Sequence, residues 1–187
     1  MMRYASPGRK QELLPPISSP DMPSQHLALP LMPANVKPGQ VRSLVEIIDD
    51  AGGEADVHHL AMGLGADLTS LPAVLLAAEV LGLTRRKDER IWLTTLGTDF
   101  LMAPDKKLSV LRSALAALEP FRTALELASK AGLISSKQLV RALDGKGIRW
   151  DYRHDENSII VNNLMIDWSI FAGLFKHTKS QEFLKLV

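Results

Sequence analysis

No cysteine occurs among the 187 residues, which excludes disulfides and thiolate metal sites and fits a reducing cytoplasm. Long apolar runs are missing as well. The longest, around Ser70 to Ala78, stops at Glu79, far short of the ~18 residues a membrane span needs. The N-terminal stretch Met1-Met-Arg-Tyr-Ala-Ser-Pro-Gly-Arg-Lys10 lacks the apolar centre of a signal peptide. Neither secretion nor membrane insertion is expected. An excess of one charge is also absent, with 22 basic residues against 21 acidic. Beyond residue 38 the balance is 18 to 19, so nucleic-acid affinity would need a local patch, since no global field exists.

Catalytic signatures are equally scarce. Gly145-Lys146-Gly147 is not a phosphate loop, because the earlier glycine is missing and Ile148 stands where Ser or Thr would hold the metal. No G-x-S-x-G nucleophile turn exists. His58 and His59 are adjacent, and neighbours on a helix diverge by about 100°, so they cannot share one ion. Asp151, His154, Asp155 and Glu156 form a polar run of the kind a solvated loop carries. No catalytic residue, metal ligand or cofactor is therefore assigned, and a non-enzymatic protein is expected.

What is present is a repeat. Gly82-Leu-Thr-Arg-Arg-Lys-Asp-Glu-Arg-Ile-Trp-Leu93 overlays Gly173-Leu-Phe-Lys-His-Thr-Lys-Ser-Gln-Glu-Phe-Leu184 without a gap, 91 residues apart. Each has Gly-Leu closing an apolar helix, a basic tip and an aromatic-Leu strand end. Upstream, Glu46 to Gly52 echoes Glu126 to Gly132, and Leu60-Ala61 echoes Leu139-Val140. Helix, helix, longer helix and hairpin is the winged-helix order, a form of helix-turn-helix. The expected fold is mainly α with small β-hairpins, built as tandem winged-helix units joined by a linking helix.

The expected boundaries follow from composition and breakers. Eight of the eleven prolines precede Gly39, so residues 1–38 read as a disordered proline-rich tail, with Leu13-Leu14 and Leu27 to Met32 as segments able to dock on a partner. Residues 39–103 form the first unit. Its Val41, Leu44, Val45, Ile47 and Ile48 recur at helical spacing before Gly52-Gly53. Asp56 caps a short helix, and Pro72 sits in the first turn of the third helix, which runs to Leu81. Residues 104–119 are the linking helix, with Leu108, Leu111, Leu115 and Leu118 on one side. Residues 120–187 are the second unit, with Ser135 or Ser136 as a cap and a long helix from Ser158 to Phe175. About twelve residues around Ile148 to Glu156 have no counterpart in the first unit.

The third helix of a winged unit would enter the major groove, where base reading needs Arg, Lys, Asn or Gln. Between Leu68 and Leu81 only Thr69, Ser70 and Glu79 are polar. In the second unit Asn157, Asn162 and Asn163 are the only candidates. Apolar helices of this kind belong in a core or against another protein. The wings retain possible phosphate or partner contacts in Arg85, Arg86, Lys87, Arg90, Lys176, His177 and Lys179. Arg149, Trp150, Tyr152 and Arg153 form a candidate partner-binding loop.

Gly52-Gly-Glu-Ala-Asp-Val-His-His-Leu-Ala61, Ala77 to Leu83, Leu93-Thr-Thr-Leu-Gly-Thr-Asp-Phe100 and Asp105-Lys-Lys-Leu108 occur in an order that resembles the AAA-associated domain. Trp168-Ser-Ile-Phe-Ala-Gly-Leu-Phe175 looks like that family's closing signature, with Ser169-Ile170 where a Gly-Arg pair is common. The domain is found at the C-terminus of ATP-binding subunits of nitrate-, sulfonate- and taurine-type ABC transporters. Here a proline-rich tail stands where the ATPase usually precedes it. The resemblance implies an accessory or regulatory module acting in trans, whose partner is an ABC-type ATPase subunit or a second copy of itself. The alternative on the same residues is a DNA-binding regulator.

Overall fold

A computed structural model describes residues 31–63, 70–102, 104–150, 154–178 and 182–185. The first half runs α1 (Pro38–Asp50), β1 (Glu54–Asp56), α2 (Val57–Gly63), α3 (Leu71–Val80), β2 (Thr84–Lys87) and β3 (Arg90–Leu93). Two helices follow, α4 (Thr95–Met102) and α5 (Pro104–Ala116). The second half repeats the order: α6 (Phe121–Ala131), β4 (Leu133–Ser135), α7 (Ser136–Gly145), α8 (His154–Leu164), a π-turn (Met165–Ser169), β5 (Phe175–His177) and β6 (Glu182–Lys185). The chain is mainly helical, with small three-stranded antiparallel sheets of order β1-β3-β2 and β4-β6-β5.

The helix stops expected from glycine lie where the backbone turns left-handed. Gly52, Gly53, Gly82, Gly132, Gly147 and Gly173 all have positive φ, which an L side chain adopts only with strain. Ser135 caps α7, accepting from the Gln138 amide while the Gln138 side chain accepts from the Ser135 amide, a reciprocal capping box. Asp56 accepts from the His58 amide at 2.8 Å at the start of α2. Apolar stripes then meet in one continuous core: Leu44, Ile48, Leu60, Leu83 and Ile91 from the first half, Phe121, Leu139, Trp168, Phe175 and Phe183 from the second. Burying each large side chain stabilises by about 1.5–3 kcal/mol, which holds helices too short to stand alone.

Three expectations change. The tail expected to reach residue 38 is packed from Leu31 onward: Met32 and Val36 are buried as members of the continuous core, which removes their apolar side chains from water. Residues 1–30, including Leu13-Leu14, lie outside the described residues. The linking helix ends at Ala116, and Leu118 is buried in the turn that follows. The long helix expected from Ser158 to Phe175 starts at His154, widens into the π-turn and ends before Gly173. Within it the Ser169 hydroxyl donates to the Met165 carbonyl, a back-bond that bends helices.

Candidate functional site

The first hairpin is tighter than the spacing suggests. β2 continues to Lys87, so only Asp88 and Glu89 form the tip, Asp88 with φ 55. Arg85, Arg86 and Lys87 are therefore strand residues with fixed directions. Register puts Glu54, Trp92 and Arg85 in one row across the sheet and Asp56, Arg90 and Lys87 in the next, both on the outer face. Arg86 points to the opposite face, where its Nε lies 3.2 Å from the Glu79 carboxylate of α3, an ion pair without hydrogen-bond geometry. Arg90 donates to Glu54 at 2.7 Å. The basic patch is thus interleaved with Glu54, Asp56 and Glu79, two of them from β1, a strand that the sequence pattern did not reveal.

The second hairpin behaves differently again. Lys176 is exposed on the outer face, opposite Leu184. His177 lies on the inner face, its ring 5.1 Å from that of Phe183. Lys179 lies outside the described residues.

At the start of the inserted stretch, Trp150 turns inward. Arg149 is exposed but donates to Asp144 at 2.9 Å. The Trp150 indole N–H donates to the Met32 carbonyl at 2.6 Å, and its backbone N–H donates to Asn157 Oδ1 at 3.0 Å. Tyr152 and Arg153 lie outside the described residues. Trp168 repeats the arrangement, its indole N–H donating to the Val36 carbonyl at 2.7 Å. A buried indole needs an acceptor, the signal that sequence could have offered without naming the partner.

Other side chains with structural work were not singled out by the sequence. Arg112 of α5 donates to the Ala172 carbonyl at 2.8 Å, tying that helix to the second half just before Gly173. Glu119 is fully buried; its carboxylate accepts from Arg122 and from the Thr123 amide at 3.1 Å, and its carbonyl accepts from the Met32 amide at 3.0 Å. Next to it, Lys146 donates to Thr123 Oγ1 at 2.9 Å and to Glu126 at 2.7 Å. That hydrogen bond holds the Glu126 carboxyl below the usual carboxylate range; slight burial works the other way, and the charges of Lys146, Arg122 and Lys130 add to the lowering.

Six large apolar residues are exposed among the described ones: Met62 of α2, Met102 of α4, and four on or just past the helices that precede the hairpins. Leu76 of α3 is 46% exposed, Ile159 of α8 is 59% exposed, and Ile170 and Phe171 stand out just past the π-turn. Ile159, Asn163, Ile166 and Ile170 recur at helical spacing on one side. Among the described residues no group of three or more His, Asp or Glu is placed to hold a metal, and no helix is long and apolar enough to cross a membrane.

No curated protein and no solved structure matches the chain. A family model does. The model of the C-terminal AAA-associated domain matches residues 58–178, from the start of α2 to the end of β5. With the greater part of its length covered and all the quoted motifs but the start of Gly52 to Ala61 inside that span, this chain belongs to the C-terminal AAA-associated domain family.

Proposed function

We propose that the protein is a non-enzymatic accessory or regulatory module, built as two winged-helix units, that acts through protein–protein contacts with an ABC-type ATPase subunit in the cytoplasm. Self-association is the second form of the same chemistry. The observation that carries the reading is the character of α3 and α8: where a DNA reader would present cations, these helices present Leu76 and Ile159, with Ile170 and Phe171 exposed just past the π-turn. Family membership supports an ATPase-type partner.

The DNA-binding alternative has less to draw on. Arg86 and Arg90 are engaged by Glu79 and Glu54, which among the described wing residues leaves Arg85, Lys87 and Lys176 to contact phosphate. Few phosphate contacts mean a shallow salt dependence and weak binding.

The test is co-elution with a purified ABC ATP-binding subunit on size exclusion with light scattering, repeated with Leu76→Asp and Ile159→Asp. The expected outcome is a complex that both exposed-face variants weaken while circular dichroism stays unchanged. Absence of any complex, together with duplex DNA binding whose affinity falls steeply between low and moderate salt, would replace this reading with the regulator.

A further inference from the structure

We propose that Leu31–Val36 is a latch: an extended arm docked on the second half in the manner of a peptide ligand, which the chain can release and rebind. Among the described residues, the hydrogen bonds that seat it come from second-half residues or the turn leading into them. The Met32 amide donates to the Glu119 carbonyl, Trp150 donates to the Met32 carbonyl, and Trp168 donates to the Val36 carbonyl. Main-chain groups are read by two indole donors and one carbonyl acceptor, while Met32 and Val36, four residues apart, fill buried positions. This is how peptide-binding domains divide their work, with main-chain bonds for affinity and side-chain pockets for specificity.

The arm is extended outside any helix or sheet, and its Met32 and Val36 side chains complete the core. It makes one bridge among the described residues, Leu31 with Glu119 in the turn before α6, and belongs to neither sheet. Asn35, exposed and at φ 61, turns the chain between the two buried residues, and Lys37 is exposed where α1 begins. Ordering such a segment costs backbone entropy for each residue fixed, against only two buried side chains and three bonds. Trp168 supplies the reason that the arm rebinds. Its indole is a donor with no acceptor capacity and is almost wholly buried, so losing Val36 leaves a donor unsatisfied until another carbonyl or water arrives. Because the arm runs directly into α1, its release also frees one connection between the halves.

The experiment uses the full chain and two variants, Met32→Asp, which expels the arm's anchor, and Trp168→Phe, which keeps the ring and removes the donor. Amide hydrogen exchange is followed at residues 31–36 and, as a reference, in α7 and β3. The expected result is exchange in the arm faster by about tenfold or more, with the reference elements unchanged, as local opening requires. A synthetic peptide of residues 31–37 added to the Met32→Asp chain should then shift tryptophan fluorescence saturably, and the same peptide carrying Met32→Asp should not. Acceleration of α7 and β3 together with the arm in both variants, or no peptide binding to a folded Met32→Asp chain, would overturn the latch.

Discussion

A β-carbon added to Gly97 would lie 2.2 Å from the carbonyl oxygen of Leu83, with the Leu83 carbonyl carbon at 3.2 Å. Helix α4 therefore rests directly on the backbone at the start of the first hairpin. Thr94 completes the joint: its hydroxyl donates to the Gly82 carbonyl at 2.6 Å and accepts from the Gly97 amide at 3.0 Å. The Leu93 to Phe100 motif is thus a packing device that locks α4 to the hairpin.

Gly97→Ala should destabilise the protein by roughly 2–3 kcal/mol, because the obstacle is backbone and cannot swing away. Urea unfolding followed by circular dichroism measures it. A loss below a few tenths would mean that α4 shifts freely.

Arg112→Ala removes a charged donor from the Ala172 carbonyl, and the loss should be about 1.5–3 kcal/mol. Gly173→Ala should also destabilise, since its φ of 66 disfavours a side chain and the new methyl would meet the guanidinium at 2.8 Å. The two sites touch, so the double variant should cost less than the sum, readable in a double-mutant cycle.

Glu119→Ala leaves the Thr123 amide and Arg122 without their acceptor at a buried position, and roughly 2–4 kcal/mol should be lost. Glu119→Gln keeps the shape and should recover part of that. Equal losses in thermal or urea unfolding would show that charge, not hydrogen bonding, holds the start of α6.

The lowered Glu126 carboxyl gives a pH dependence of definite sign. Its folded value lies below the ordinary 4.5, so its stabilisation is complete above that and is lost as pH falls through the folded value. The side chain is half exposed, so solvent screening limits the effect to a few tenths of a kcal/mol, the scale of surface pairs. Stability should dip slightly below about pH 4.5, and Glu126→Gln should flatten that dip in acid-titrated unfolding curves.

Helices, hairpins and the repeat were legible from apolar spacing and from glycines, because a 3.6-residue period and a positive φ are local properties. The strands Glu54–Asp56 and Leu133–Ser135 were not, since three residues carry no period and become strands only by pairing with β3 and β6. The wing cations were legible as residues but not as a patch. Their neutralising partners Glu79 and Glu54 come from other elements, at ranges that no motif encodes.

By itself the sequence determined the order of helices and hairpins, the repeat, the near-neutral balance and the family, all of which depend on spacing and composition along the chain. Tertiary structure decided the rest. It folded Trp150 and Trp168 onto Met32 and Val36, more than 100 residues away, making part of an apparent tail into a seated arm. The reason is physical: a buried indole must find an acceptor and an apolar side chain must find a core, but which one it finds depends on chain closure and not on its neighbours in sequence.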